Sequence, residues 1–344
     1  MNRSADEQRT LSNRRVLVSG GAGFIGSHLV DALLERGDDV TVVDDLSTGR
    51  RSNLPDAFPR LRFIEASLRQ ALADFGRGEQ FDEIYHLAAA VGVQLVLDDP
   101  IGCIETNVEQ TAAMLRFAAQ AGGRAGKTRI LLTSSSEVYG KPTSEVFREE
   151  DDVVYGPTSV LRWSYAQTKA IDEYLALAHH ARGGLPTVVV RLFNTVGPRQ
   201  LGSYGMVLPR FVRAAMLGEA LEVYGDGTQS RCFCDVRDVV WALTRMIASP
   251  ACCGRVLNLG NDEPISIGDL ALLVVETLGS KSEIRSLPYE AAYSGGFEDL
   301  QRRRPSLVRI RDAIGFEPKW SLRQTIIDVA AHLESTAEVE GRAQ

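Results

Sequence analysis

Short apolar runs and longer stretches of helical period alternate along the first half of the chain. Six runs that contain several apolar residues have the length of buried strands. They cover residues 15–19, 39–43, 61–64, 81–87, 129–133 and 186–192. The segments between them repeat apolar residues three and four positions apart, as one face of a helix requires. Because strands and helices alternate, the sequence predicts an α/β fold with a doubly wound parallel sheet.

The alternation becomes less regular after Asn194. Loops rich in polar residues and glycine separate helices that the pattern predicts near residues 207–217, 235–249, 266–279 and 321–335. We therefore predict a first domain over 14–193 and a smaller C-terminal substrate-binding lobe, mainly 194–335, from which some segments return to the sheet. Ligands of open parallel sheets bind at the carboxyl ends of the strands, so we expect the functional site there.

Composition and charge narrow the class of protein. The chain has 344 residues, of which 44% are hydrophobic and 24% charged, and its net charge is −7. This balance favours neither a nucleic-acid partner nor an anionic membrane, and no apolar run has the roughly 20 residues of a membrane span. The polar N-terminal residues contain no apolar signal core, which favours a cytoplasmic protein. The five cysteines are an odd number without zinc-site spacing, so we expect reduced thiols and no metal.

Three glycines follow the first predicted strand with the spacing G-x-x-G-x-x-G. They are Gly20, Gly23 and Gly26, and Phe24 and Ile25 lie between the last two. The first permits a tight turn, the second lets a pyrophosphate approach backbone N–H groups at a helix N-terminus, and the third allows the helix to pack closely on the strand. The alternative is a glycine-rich turn without a ligand. Because a strand precedes the motif and a helix follows it, we favour a Rossmann-type dinucleotide site.

Asp44 ends the second predicted strand, about 20 residues beyond the glycines. A carboxylate at that place suits the ribose hydroxyls of NAD and repels the additional phosphate of NADP. Arg50 and Arg51 follow closely and would favour NADP instead. On balance, the sequence predicts NAD as the cofactor.

The fourth predicted strand ends in Leu87, Ala88 and Ala89. Small residues at a strand end let a flat cofactor lie against the backbone, so we assign these three to the cofactor site. His86 comes directly before them. Because it lies within the strand, we interpret it as a packed core histidine and not as a catalytic residue.

Tyr165 and Lys169 are four residues apart on a predicted helix, so both side chains lie on one face. A lysine ammonium beside a phenol lowers the pKa of the phenol, which makes the tyrosine a base near neutral pH. A serine hydroxyl from Ser134–Ser136 would bond the same substrate oxygen. This combination removes a proton from an alcohol while a hydride leaves its carbon. Alone, such a pair is more often an ordinary surface feature of a helix.

Several arginines lie in segments that the pattern predicts as loops of the second lobe. They are Arg199, Arg210, Arg231 and Arg303. Arginine suits bidentate contacts with phosphate or carboxylate, and this favours phosphate binding for Arg231 and Arg303 in particular. The alternative is a solvated charged surface.

Together these residues resemble the extended short-chain dehydrogenase/reductase superfamily that acts on nucleotide sugars. The resemblance covers roughly residues 14–335. It depends on the glycine motif, Asp44, His86-Leu87-Ala88-Ala89, Ser136, Tyr165-x-x-x-Lys169, Asn194, Gly197-Pro198-Arg199 and Arg231. Within this family, Ser134–Gly140 is similar to the T-S-E-V-Y-G motif of UDP-glucuronic acid decarboxylases. Arg162–Tyr165, Arg231–Phe233 and Glu298–Ser306 are similar to the decarboxylase domain of the bacterial aminoarabinose pathway.

The resemblance implies an NAD-dependent UDP-glucuronic acid decarboxylase. Tyr165, Lys169, Ser136 and Glu137 would be catalytic, and Tyr165 and Lys169 would also bind the cofactor, with Lys169 on its ribose. Glu137 would lie near C5 and C6 of the sugar, where it disfavours the substrate carboxylate or helps to protonate C5. The product is UDP-xylose, a released UDP-4-ketopentose, or both. The implied substrate-binding residues are Glu137, Asn194, Arg199, Tyr224, Arg231 and Arg303, with Tyr224 on the uracil and the last two arginines on the diphosphate.

Family members commonly dimerise through two helices, here roughly 100–121 and 162–182, so the resemblance implies a homodimer. Met114, Leu115, Leu175 and Leu177 would serve that interface or the core. Two departures from the family pattern concern the ligands: Ser67 stands where the family usually has an aspartate that bonds adenine, and the loop Val91–Leu95 is closer to that of bacterial epimerases.

Two other functions remain open at this point. A nucleotide-sugar 4-epimerase acting on UDP-glucuronate or UDP-glucose would share the oxidation step but return the hydride to the other face of the ketone. A non-catalytic NAD-binding sensor or scaffold would need the glycine motif but not Tyr165 and Lys169.

Overall fold

The computed structural model describes residues 13–75, 78–90, 99–124, 126–141, 144–202, 206–288 and 302–342. Val91–Leu95 and Glu298–Gln301 lie outside the described residues. In chain order the strands are β1 (Arg15–Ser19), β2 (Asp39–Asp44), β3 (Leu61–Glu65), β4 (Glu83–His86), β5 (Arg129–Ser135), β6 (Val146–Phe147), β7 (Thr187–Leu192), β8 (Thr195–Val196), β9 (Leu221–Tyr224), β10 (Ser230–Cys232), β11 (Cys234–Asp235), β12 (Arg255–Leu259), β13 (Pro264–Ser266), β14 (Ile284–Leu287) and β15 (Arg302–Pro305).

The α-helices of the described residues are similarly numbered in chain order. They are α1 (Phe24–Glu35), α2 (Leu68–Asp74), α3 (Pro100–Ala121), α4 (Trp163–Gly183), α5 (Val207–Leu217), α6 (Val236–Met246), α7 (Ile267–Leu278), α8 (Val308–Ile314) and α9 (Leu322–Arg342). The four helices predicted in the second half are confirmed as α5, α6, α7 and α9. A short 3₁₀ turn, Ser136–Tyr139, directly follows β5.

A seven-stranded parallel sheet in the order β12-β7-β5-β4-β1-β2-β3 forms the centre of the molecule. The predicted fold class is therefore confirmed, and all six predicted strands are present. The seventh strand, β12, pairs with β7 although it comes from the second half of the chain. Its fourth residue is the fully buried Asn258, whose side chain donates to the carbonyl of Phe147 and accepts from the hydroxyl of Tyr139. This buried polar residue interrupts the apolar pattern, which explains why the sequence did not reveal the strand.

Alternate residues of the strands bury on opposite faces of the sheet, as a pleated strand requires. On one face, Val16 and Val18 of β1 pack in a cluster with α1, α6 and α8. On the other, Leu17 packs with residues of α2, α3 and α4. Met114 and Leu115 of α3 are fully buried in this second cluster, so both belong to the core.

The second lobe has its own core between α5, α7 and α9. Next to it, four short strands from distant parts of the chain form a small sheet in the order β13-β10-β15-β6. This finding corrects the prediction that Arg231 and Arg303 lie in loops, and for Arg210 the helix predicted near 207–217 is confirmed over the loop assignment. Arg210 belongs to helix α5, whereas Arg231 and Arg303 belong to strands β10 and β15.

Candidate active site

All the residues that the sequence assigned to the site line one cavity of about 810 Å³. The cavity extends from the glycine motif along the carboxyl ends of the central strands to the second lobe. At one end it is lined by Gly20, Gly23, Phe24, Ile25, Gly26, Asp44, Leu87, Ala88 and Ala89. At the other end it is lined by Ser136, Glu137, Tyr165, Lys169, Asn194, Arg199, Tyr224, Arg231 and Arg303. The fold therefore brings together both groups of predicted residues.

The glycine motif forms a tight turn that only glycine permits at two positions. Gly20 has a φ of +73°, and a Cβ on Gly26 would lie 2.0 Å from the carbonyl oxygen of Gly20. Helix α1 begins directly after Gly23 with no side-chain cap and no acidic residue in its first turn. Its N-terminal N–H groups and dipole are thus directed to the cavity, which fits a pyrophosphate.

Asp44 holds the glycine loop in place. Its carboxylate accepts hydrogen bonds from the backbone N–H groups of Ala22 and Leu46, both at 2.9 Å. Arg51 points away from the cavity, because its guanidinium binds the carbonyls of Leu54 and Pro55. Of the two arginines that would favour NADP, only Arg50 lines the cavity.

Tyr165 and Lys169 lie on helix α4, and both line the cavity near the end of β5. The hydroxyl that hydrogen-bonds Tyr165 is that of Ser135, one residue before the predicted Ser136. Ser136 is buried in the following 3₁₀ turn and lines the same cavity. The two serines were indistinguishable in the sequence, because the local direction of the turn decides which hydroxyl reaches the phenol.

The pKa of Tyr165 is not lowered in this structure, in contrast to the prediction made from its spacing to Lys169. The pKa of Tyr165 is raised, first by desolvation in the cavity and then by the negative charges of Glu137 and Asp172. The ammonium of Lys169 is nearly fully buried and lies 3.1 Å from Oδ2 of Asp172, three residues along the same helix. Asp172 was not singled out in the sequence, although its i,i+3 spacing from Lys169 is a signal that could have found it.

Glu137 lies between two arginines beside Tyr165. Its Oε1 is 2.6 Å from Nη1 of Arg303, and its Oε2 is 3.4 Å from Nη2 of Arg162. Burial tends to raise the pKa of Glu137, but the charges of Arg303, Arg162 and Arg231 outweigh this effect and lower it. The potential at this end of the cavity is therefore positive. Arg162 was quoted only as part of a sequence resemblance, and the structure shows that it belongs to the cluster.

Arg231 and Arg303 lie side by side because β10 and β15 are parallel neighbours in which these two residues are register partners. Both side chains are buried, whereas Arg302 and Arg304 on either side are exposed. The basic run Arg302–Arg304 thus follows the alternation of a strand, with one side chain directed inward and two outward.

The other predicted residues line the same cavity in different settings. Arg199 forms an ion pair of 2.8 Å with Asp31 on helix α1. The ring of Tyr224 is covered by the guanidinium of Arg210, 4.4 Å from its centroid, and Nη1 of Arg210 donates to the Tyr224 hydroxyl. Asn194 lies at the start of the segment that connects the central sheet to the second lobe.

The histidine and cysteine residues that the structure describes are packed side chains or free thiols. His86 is buried, as predicted, and its pKa is lowered to about 3 by burial and by the charge of Lys169. All five cysteines are free thiols, and four of them are buried. Within the described parts of the chain, no group of histidine, cysteine and acidic residues is placed to hold a metal ion, and no helix is long and apolar enough to cross a membrane.

Residues 16–260 match the model of a protein family described as the NAD dependent epimerase/dehydratase family. The match covers more than half of the chain and includes the assigned residues at both ends of the cavity except Arg303. The chain belongs to the NAD-dependent epimerase/dehydratase family. Its cofactor is NAD, in agreement with the uncapped helix at Gly23 and with Asp44 at the end of β2.

Two relatives and one solved structure show which proteins the chain is similar to within this family. It is 39% identical to a UDP-N-acetyl-alpha-D-glucosaminuronate decarboxylase of Bacillus cytotoxicus, over 90% of this chain and 95% of the relative. It is 35% identical to UDP-glucuronic acid decarboxylase 5 of Arabidopsis thaliana, over 91% and 87%. The fold is similar to that of a Thermus thermophilus UDP-glucose 4-epimerase in complex with NAD, with a TM-score of 0.78, 28% identity and coverage of 93% and 99%.

Proposed function

We propose that the protein is an NAD-dependent UDP-glucuronic acid decarboxylase. The reaction oxidises C4 of the sugar, releases CO₂ from the resulting 4-keto acid, and ends with reduction to UDP-xylose or release of the UDP-4-ketopentose. Relatives named as decarboxylases of UDP-uronates support this function. The observation that carries it is the arginine cluster around Glu137, since a uronate brings a carboxylate to the sugar end of the cavity.

The cluster suits an anionic sugar because its potential lowers the pKa of a half-buried carboxylate, Glu137, against the effect of burial. The same potential stabilises the C6 carboxylate of a uronate, which a neutral hexose lacks. In addition, Arg303 lines the cavity, and its buried Nε has no hydrogen-bond partner among the described residues. A bidentate arginine is the residue type that orients a planar carboxylate.

Proton transfer at C4 is assigned to Tyr165. Its phenolate takes the proton of the C4 hydroxyl, and Ser135 and Ser136 bond the same oxygen. Lys169 supports the phenolate and the cofactor ribose. NAD, when bound, accepts the hydride from C4 and can return it after decarboxylation. Because burial, followed by the charges of Glu137 and Asp172, raises the pKa of Tyr165, the ammonium of Lys169 and the bound ligands have to offset these effects before the phenol can ionise.

Loss of CO₂ follows from the position of the ketone. The 4-ketone is β to the C6 carboxylate, so the electrons of the breaking C5–C6 bond flow into an enolate. A proton then adds to C5, and one proton is consumed for each CO₂ released. The protein orients the C5–C6 bond perpendicular to the plane of the ketone, so that its electrons overlap with the carbonyl π system, and it stabilises the enolate. Glu137 and Arg303 lie beside Tyr165 and are the groups available near C5 and C6.

The nucleotide is assigned to the wall formed by the second lobe. Tyr224 packs on the uracil, Arg231 binds the diphosphate, and Asn194 and Arg199 complete the substrate site. The sequence-based assignment placed Arg303 on the diphosphate. Its ion pair with Glu137 favours a position at the sugar instead.

A product assay tests the function. Purified protein is incubated with UDP-glucuronate and with its 2-acetamido analogue, and CO₂ release and sugar nucleotides are measured. Release of CO₂ from UDP-glucuronate supports the proposal, and release from the analogue alone would move the substrate to the 2-acetamido uronate. UDP-galacturonate without CO₂ would identify a 4-epimerase instead. NAD binding with no turnover of either uronate or of UDP-glucose would identify a sensor or scaffold.

We also infer a homodimer in a reducing, cytoplasmic environment. Four large apolar side chains are exposed on the two helices named by the resemblance: Ile101 and Ile104 of α3, and Ile171 and Tyr174 of α4. Two neighbouring helices with exposed apolar residues form a suitable interface for a second copy. The five free thiols agree with a reducing environment.

A further inference from the structure

A buried carboxylate lies directly behind the proposed catalytic lysine. Asp172 is fully buried, and its Oδ2 is 3.1 Å from Nζ of Lys169. A buried carboxylate is costly unless a partner offsets its charge, and Lys169 is that partner. In return, Asp172 restricts the position of the Lys169 ammonium, which would otherwise move freely on its flexible four-carbon stem.

Hydrogen bonds connect Asp172 to the cofactor loop through three further residues. Thr111 of α3 hydrogen-bonds Asp172, and its hydroxyl lies 3.2 Å from Nε2 of His86 at the end of β4. Nδ1 of His86 lies 2.7 Å from the hydroxyl of Ser19, the residue that precedes Gly20. All four of these side chains are buried. The chain Ser19–His86–Thr111–Asp172–Lys169 therefore spans from the glycine motif to the lysine.

The geometry of this chain gives each member a fixed orientation. Because His86 is neutral at physiological pH, one ring nitrogen donates and the other accepts, and two hydroxyl groups occupy them. Lys169 and Thr111 then both contact Asp172, and the lysine contact is on Oδ2. One carboxylate oxygen, Oδ1, has no hydrogen-bond partner among the described residues, so these contacts alone orient the group.

We propose that Asp172 is a positioning residue that holds the Lys169 ammonium at the floor of the cavity, ready for Tyr165 and for the cofactor ribose. This inference rests on the proposed roles of Tyr165 and Lys169. It assigns to Asp172 a function that is exerted only through the lysine. Without Asp172, the lysine side chain has to be ordered when the cofactor binds, and that cost reduces affinity.

The test measures NAD affinity by calorimetry in the absence of sugar, in a double-mutant cycle of Asp172→Asn and Lys169→Met. Asp172→Asn keeps the volume of the side chain and removes its charge. We expect the Kd for NAD to rise about tenfold in the wild-type background, the equivalent of ordering one long side chain. In the Lys169→Met background we expect Asp172→Asn to have almost no further effect, because the side chain that Asp172 orders is gone.

Two variants keep the test decisive. Asp172→Glu restores the charge and is expected to bind NAD with an affinity between those of the wild type and Asp172→Asn. Asp238→Asn removes another buried aspartate, which caps the backbone N–H groups of Lys319 and Trp320 outside the cavity, and should leave NAD affinity unchanged. Equal weakening by Asp172→Asn in both lysine backgrounds, or no weakening in either, would overturn the inference. Because the calorimetry uses NAD without a sugar, its result does not depend on whether the protein decarboxylates UDP-glucuronate.

Discussion

Arg303 and Glu137 form a short ion pair, with 2.6 Å between Nη1 and Oε1, although 166 residues separate them in the sequence. Arg303 comes from strand β15 and Glu137 from the turn after β5. The pair lies beside Tyr165, where the sugar has to bind for its C4 hydroxyl to reach the phenol. It therefore joins the second lobe to the catalytic residues, and it presents a guanidinium to the substrate.

Replacing Arg303 tests this contact. We expect Arg303→Ala to lower kcat for decarboxylation by about 100-fold or more, because a preorganised charge near the reacting carboxylate is lost. Steady-state kinetics with UDP-glucuronate measure the effect. Arg302→Ala is the matched control, since Arg302 is exposed on the same strand and pairs with Glu145 at the surface. Similar losses for both variants would show that only the overall charge of the strand matters.

The two neighbouring serines can be separated by mutation. Ser135 hydrogen-bonds Tyr165, so we expect Ser135→Ala to reduce kcat by about 100-fold, whereas Ser136→Ala should have a smaller effect. Tyr165→Phe should abolish turnover and leave NAD binding intact, as calorimetry would show. A larger loss for Ser136→Ala than for Ser135→Ala would restore the assignment made from the sequence.

His86 makes the stability of the protein depend on pH. The pKa of His86 is lowered from 6.5 to about 3 in the folded protein. As the pH falls, the imidazole is therefore protonated in the unfolded chain before it is protonated in the folded protein. Its neutral form stabilises the fold above pH 6.5, and this contribution is lost as the pH falls towards 3, by up to about 1.4 kcal/mol for each pH unit. Denaturant unfolding at several pH values should show a shallower decline for His86→Gln than for the wild type. Parallel curves would contradict the burial of a neutral imidazole.

The exposed apolar residues of α3 and α4 predict the oligomeric state. Ile101 and Tyr174 are 69% and 72% exposed, which is unusual for large apolar side chains on adjacent helices. We expect Ile101→Glu together with Tyr174→Glu to convert a dimer into a monomer in light scattering after gel filtration. Leu217→Glu, at an exposed position of α5 away from these helices, is the control. A monomeric wild type would exclude this interface.

Much of the fold was evident from the sequence because its causes are local. Alternating strands and helices follow from the spacing of apolar residues, and all six predicted strands appear in the central sheet. The glycine motif was equally readable, since a left-handed turn at Gly20 and the close approach at Gly26 depend on the residues themselves. The i,i+4 spacing of Tyr165 and Lys169 likewise places both on one face of a helix.

The electrostatics of the site depend on contacts between segments that are far apart in the chain. The parallel pairing of β10 with β15 places Arg231 beside Arg303, and the turn after β5 brings Glu137 to them. Burial in the cavity, followed by the charges of Glu137 and Asp172, raises the pKa of Tyr165, whereas the Tyr165–Lys169 spacing predicted a lowered pKa. The sequence by itself determined which residue types line the cavity. Only the tertiary structure decided their charge balance, because burial and long-range strand pairing set the potential that each group experiences.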